Sequence, residues 1–232
     1  MTRQSVLLFF VAYFLISLPG STQDGNSLPQ VRITTSGQNR SATSGAQVYY
    51  SIDVKDKEDG FSEYDEINGA EVFVKIEYLE KAAGTVTYDK EKSNPLPSGL
   101  KHAIKSSCLA CHQVKGALIG PSFAEVSRKY SKQPTIKEEL VNRVIKGSTG
   151  NWGEQIMPPH PETSEKVIRE IIDWALSMAD DPNINYLSGL SGSFQTTKKG
   201  DYVLTAFYID HGTEQRPFSG EPGTDRVIIK VE

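Results

Sequence analysis

Cysteine is scarce in this chain, with two among 232 residues, Cys108 and Cys111, three positions apart. A pair so close in sequence cannot staple distant segments, so a disulfide-built fold is excluded. A clustered excess of Lys and Arg is missing too, and the net charge is −4. Phosphate binding needs such a cluster, which sets nucleic acid aside as a partner. There is no internal repeat and no low-complexity tract. The hydrophobic content of 38% fits neither disorder nor a membrane bundle, and it suits one large globular domain or two small ones.

One apolar run stands apart. Arg3 is followed by thirteen residues, Val6 to Leu18, broken only by Ser17, and then by Pro19, Gly20 and Ser21. Thirteen residues fall short of the roughly 20 that cross a bilayer, so an uncleaved membrane anchor is the weaker reading and a secretory signal peptide over residues 1–22 the stronger. Gly20 and Thr22 suit positions −3 and −1 of a cleavage site. No Cys lies near it to carry a lipoprotein's lipid. The expectation is a periplasmic or secreted protein.

Beyond the signal the hydrophobic period changes twice. From Gln30 to about Leu79 apolar residues alternate, as in Val48-Tyr50-Ile52-Val54 and Val72-Val74-Ile76, which predicts strands. From about Gly99 to Ala179 the spacing is helical. Thr135 and Glu138 form a capping box before the apolar face Ile136, Leu140, Val141, Val144 and Ile145, and Gly147 stops that helix. A second helix runs from about Ser164 to Met178, and shorter ones cover Gly99–Cys108 and Phe123–Tyr130. Alternation returns in Tyr202-Leu204-Ala206-Tyr208 and Val227-Ile229-Val231, with a weaker strand near Phe194. Neither β stretch buries enough alone, which predicts one antiparallel sandwich split by the helical block. The fold class is thus α+β: β-sandwich over 28–85 and 186–232, and an all-α domain over 97–181. The connecting segments are Lys90–Ser98 and Asp180–Asn185. Two separate β modules are the alternative.

The chemistry lies in Ser107–Gln113, which reads SCLACHQ. Two thiols one helical turn apart can add across the two vinyl groups of a porphyrin, and a His directly after the second reaches its iron. Cys108 and Cys111 are therefore the covalent attachments of one haem c, and His112 the proximal iron ligand. A thioredoxin-like pair also uses CxxC, but in a βαβ setting, and a structural zinc site needs a second pair of ligands. Met157, in the proline-stiffened stretch Gln155–Pro161, is the candidate distal ligand, with His160 as runner-up.

Residues Gly99–Ala179 resemble a small bacterial class I, single-haem cytochrome c. CxxCH is followed in order by Ile119-Gly120-Pro121-Ser122-Phe123, Gly147–Gly153, Met157-Pro158-Pro159 and a last amphipathic helix with Trp174. The resemblance implies that the Pro121 carbonyl orients His112 and that Arg143 and Trp152 lie near a haem propionate. Read without it, Arg143 is a solvated helix residue and Trp152 a partly buried packing residue. His160 stands where many relatives carry an amide. Residues Val48–Gly60, with Asp53, Asp56, Glu58 and Asp59, and then Gly200–Leu204 resemble a PKD-type immunoglobulin-like domain with Tyr202 as its tyrosine corner. Lys55 and Lys57 interrupt the acidic run where a calcium loop would carry acids, so no metal is assigned there.

The function these features predict is electron transfer, not enzymatic catalysis. A mono-haem carrier would take single electrons from a donor protein, by family association a sugar or alcohol dehydrogenase, and pass them to a cytochrome or oxidase acceptor. Carbohydrate would be met only through an associated protein. Lys101, Lys105, Lys115 and Lys146 are candidates to steer an acidic partner, or an ordinary soluble surface. An enzyme or sensor with an open sixth position lacks an obvious distal acid–base pair. The remaining rival is a binding module, the sandwich docking a polysaccharide or dehydrogenase through exposed tyrosines, among which Tyr50, Tyr202 and Tyr208 fall in the core phase.

Overall fold

Alternation along a strand sends successive side chains to opposite faces, and here it separates core from solvent residue by residue. In Gln47–Asp56, Val48, Tyr50, Ile52 and Val54 are buried, while Tyr49 between them is 58% exposed. The computed structural model describes residues 25–36, 40–80, 96–116, 118–177, 182–213, 216–217 and 220–232. The signal peptide expected over residues 1–22 lies outside them, as do Met178 and parts of both connecting segments.

In chain order the elements are β1 (Gln30–Thr35), β2 (Ser41–Ala42), β3 (Gln47–Asp56), β4 (Gly60–Phe61), β5 (Phe73–Leu79), α1 (Ser98–Lys105), α2 (Phe123–Tyr130), α3 (Ile136–Lys146), β6 (Ser148–Gly150), β7 (Gly153–Met157), α4 (Glu165–Ser177), β8 (Ile184–Ser188), β9 (Ser191–Gln195), β10 (Gly200–Ile209), β11 (Gly212–Thr213), β12 (Arg216–Pro217) and β13 (Pro222–Val231). One sheet centres on β3, which pairs antiparallel with β1, β4 and β9. The other has the order β2-β13-β10-β5-β8, antiparallel except for β2 against β13. The two sheets share a core, with Tyr50, Ile52 and Val54 from the first meeting Val74, Leu204, Tyr208 and Ile229 from the second.

The second sheet draws strands from both sides of the helical block. β5 precedes that block, and its neighbours β10 and β8 follow it, with Leu204 opposite Ile76 and Leu187 opposite Val74. The strand β8 begins earlier than the alternation suggests, since Ile184 and Asn185 already pair with Glu77 and Ile76. Asn183-Ile184-Asn185-Tyr186 is too short and too close to Pro182 to set a strand boundary from sequence, so the ladder reveals it. At the far end, Asp56 is buried and accepts from the N–H groups of Glu58 and Asp59, and Asp59 accepts from the Tyr208 hydroxyl at 2.7 Å. The acidic run thus anchors a turn with its own hydrogen bonds.

One capping assignment is corrected. Thr135 makes no side-chain cap bond, because its backbone is helical (φ −98°, ψ −2°) rather than extended, and Glu138 pairs instead with Arg169. The capping box belongs to α2. There Ser122 accepts from Glu125 N at 3.2 Å, and the Glu125 carboxylate accepts from Ser122 N at 2.8 Å. Gly147 does end α3, at φ +76°, a conformation that favours glycine. The helices α1 and α4 touch at Gly99, where a Cβ would fall 2.4 Å from Trp174 Cβ.

Candidate functional site

The helix α1 ends at Lys105, and Ser107 in the left-handed region (φ 56°) turns the chain into a single 3-10 turn, Cys108–Ala110. Cys111 N and His112 N both donate to Cys108 O, at 3.2 and 2.9 Å, which holds the two cysteines and the histidine on one tight loop. Gly120 N then donates back to Cys111 O at 2.9 Å. Here glycine is required by space, because a Cβ at position 120 would lie 2.5 Å from His112 Cε1. The next residue carries the contact that orients the ring, with His112 Nδ1 2.7 Å from Pro121 O. A carbonyl can only accept, so Nδ1 carries the hydrogen and Nε2 keeps its lone pair for a metal.

On the other side, Met157 closes the hairpin β6–β7, opposite Ser148 in register. A Cβ on Gly147 would come within 2.8 Å of Met157 O, so the end of α3 and the methionine strand are in direct contact. Between these two sides lies a cavity of about 410 Å³, lined by Cys108, Cys111, His112, Pro121, Arg143, Trp152, Met157 and His160. Its walls are aliphatic, from Leu140 and Val144 of α3 and Ile168 and Ile172 of α4. The residues singled out in the sequence as haem attachments, iron ligands and propionate neighbours therefore line one apolar cavity. The His160 Nδ1 faces Glu162 Oε1 at 3.1 Å, and its backbone N–H donates to Val144 O at 3.0 Å.

The donor set and the cavity fit a haem better than a reactive dithiol. Burial pushes the Cys108 thiol up to about 11, the opposite of the lowered value a redox-active pair requires. Among the described residues the two cysteines sit on a 3-10 turn after a helix and not in a βαβ unit, and a planar macrocycle needs what the cavity provides: apolar walls, an imidazole and a thioether.

Arg143 and Trp152 are held by groups that sequence reasoning passed over. Tyr130 is the hub. It is 4% exposed, its hydroxyl accepts from Arg143 Nη1 at 3.0 Å, and its ring meets Trp152 edge-on at 5.9 Å. Glu139 takes the other arm of the Arg143 guanidinium, and Lys129 lies 4.2 Å from the Trp152 ring while donating to Asn151 O. Helical spacing from Phe123 through Ser127 would have put Tyr130 on the buried face of α2.

The family profile described as Cytochrome c matches residues 98–179. The cytochrome c-551 of Allochromatium vinosum is 34% identical over 85 residues, 35% of this chain and 90% of that protein. Cytochrome c-551 of Azotobacter vinelandii is 40% identical over 70 residues, covering 30% and 84%. Among solved structures, wild-type Nitrosomonas europaea cytochrome c552 is 32% identical and covers 34% of this chain and 98% of its own, with a TM-score of 0.33. The strands of the two large sheets lie outside the matched residues. Across its helical block, therefore, this chain belongs to the cytochrome c family, binding one covalent haem c to carry electrons rather than to catalyse a reaction.

Proposed function

We propose that this protein is a periplasmic or secreted electron carrier, taking single electrons from a dehydrogenase, with a sugar or alcohol substrate, and passing them to a respiratory cytochrome or oxidase. The observation that carries the reading is the pairing, across one apolar cavity, of a histidine locked by Pro121 with a methionine held by Gly147 and the prolines after it. In this proposal Cys108 and Cys111 form the thioethers, and His112 and Met157 are the axial ligands. Pro121 orients the first ligand, while Arg143 and Trp152 face a propionate. Bound haem supplies one-electron iron chemistry. The chain's own work is to exclude water with Leu140, Val144, Ile168 and Ile172 and to hold both ligands with little reorganisation.

The proposed division is a signal peptide over 1–22, a cytochrome c domain over 97–181, and an immunoglobulin-like sandwich over 28–85 and 186–232. Support for the sandwich comes from the Tyr202 hydroxyl, which accepts from Thr197 N at 2.9 Å and Lys198 N at 3.0 Å, as a tyrosine corner does. A second reading, the sandwich as a docking module, draws on Tyr49 and Tyr64, which are 58% and 67% exposed.

The test is the visible and near-infrared spectrum of the matured protein, oxidised and reduced, beside that of Met157→Ala. The oxidised wild type should show the weak charge-transfer band of methionine on ferric iron, and the variant should lose it entirely. A wild type that is high-spin and binds carbon monoxide readily would replace the carrier reading with an open-site one.

A further inference from the structure

The central strand β10 is buried on both faces. Tyr208 and Leu204 point into the core between the sheets, whereas Phe207, also fully buried, points the other way into a core shared with the helices. Phe207 stands opposite Phe73 of β5 in register, and their rings stack at 5.5 Å. This pair packs in one cluster with Leu100 and Ala103 of α1, Phe123 of α2 and Trp174 of α4, and Cys108 and Leu109 lie against the same cluster. Within it the Trp174 ring is 4.9 Å from Phe123, and Phe123 is 5.7 Å from the His112 ring. Trp174 has no room to retreat toward α1, because the two helices already touch at Gly99. A further tie comes from Lys115, three residues past His112, whose ammonium donates to Ile184 O at the start of β8.

We infer that Phe73 and Phe207 are positioning residues for the haem ligand His112: the sheet forms the back wall of the haem site and acts on His112 through Trp174 and Phe123. The inference rests on His112 being the proximal ligand. Interiors are close-packed and transmit strain, so support removed at Phe207 is felt at the next ring rather than absorbed. A hole behind Phe123 loosens the imidazole and raises the local polarity on the Cys108 side, which favours the more highly charged oxidised state. The midpoint potential should therefore fall.

The experiment compares midpoint potentials and the His112 proton NMR resonances of the holoprotein with those of Phe207→Ala, Phe207→Leu, Phe73→Leu and Leu204→Ala. Leu204 is equally buried but lies in the core between the sheets, so its variant reports what a cavity does to stability alone. The expected result is a negative shift in Phe207→Ala with displaced His112 resonances, a smaller shift of the same sign in Phe73→Leu, and recovery toward wild type in Phe207→Leu. Leu204→Ala should lower the melting temperature and leave the potential where it was. The milder pair, Phe73→Leu and Phe207→Leu, decides the matter should Phe207→Ala fail to mature. Unshifted potentials in both Phe207→Ala and Phe73→Leu, or an equal shift in Leu204→Ala, overturn the inference. Loss of the methionine band from the wild type would overturn the assignment of Met157 instead, since the comparison of potentials is read on the iron whatever its sixth ligand.

Discussion

The β-rich region and the helical block use apolar residues in opposite ways. In the former, Val48, Tyr50, Ile52 and Val54 meet Val74, Leu204 and Ile229, so protein fills the space between the sheets. In the latter, Leu140, Val144, Ile168 and Ile172 converge on a cavity of about 410 Å³. One region is completed by its own side chains and the other by a cofactor. The apolar surface that drives folding is equivalent in kind, but in the helical block part of its burial is delivered by the bound group.

The largest effect that could break this contrast follows from removing the proposed attachment. In Cys108→Ser/Cys111→Ser the helical block should lose more than about 4 kcal/mol of stability, the scale for a ligand held far above its dissociation constant. Amide exchange is the measurement. Amides of α3 and α4 should lose protection while those of β10 and β13 keep most of theirs. Equal losses in both regions would mean that the sheets depend on the haem as much as the helices do.

A smaller effect sharpens the comparison inside the helical block. Ser122→Ala removes the capping box next to Pro121 and should cost about 1 kcal/mol in denaturant unfolding, whereas Thr135→Ala, with no cap bond to lose, should cost close to nothing. The reverse order would restore the capping box expected from sequence at α3.

The smallest effect belongs to the β-rich region. His211 has Nδ1 3.1 Å from Asp59 and Nε2 3.2 Å from Glu71; partial burial pulls its pKa down, but the two carboxylates outweigh that and leave it raised. A histidine raised in the folded state contributes stability that is complete below its unfolded value, about 6.5, and is lost as pH rises through the folded value. His211 is more than half exposed, so solvent screening keeps this contribution small. Melting temperatures of wild type and His211→Gln should therefore differ at about pH 6 and converge by about pH 9. A difference that grows with pH would contradict the pairing.

Much of the site's chemistry was legible because haem attachment is local. The Cys-Cys-His spacing spans one turn, and the Pro121 carbonyl that the family resemblance implied lies only nine residues after the imidazole it meets. The strands were legible where one face is core and the other solvent, as in β3. They were not where that condition fails: Ile184 and Asn185 of β8 lie in a short polar-rich stretch next to Pro182, and the alternation of β10 puts Phe207 on the face opposite Tyr208 without showing that its face is buried as well. The contacts of Tyr130 and Lys129 with Trp152 were missed for a different reason, since they exist only once the 148–157 hairpin has folded over the end of α2.

The amino-acid order alone determined the haem chemistry and the helical or extended character of most segments, because covalent spacing and side-chain period are properties of neighbours along the chain. Tertiary structure alone decided that Ser122 rather than Thr135 carries the capping box, that β10 and β8 are the strands that flank β5, and that Phe73 and Phe207 meet behind the histidine. Those outcomes depend on contacts between residues far apart in sequence, and no local pattern records the space they share.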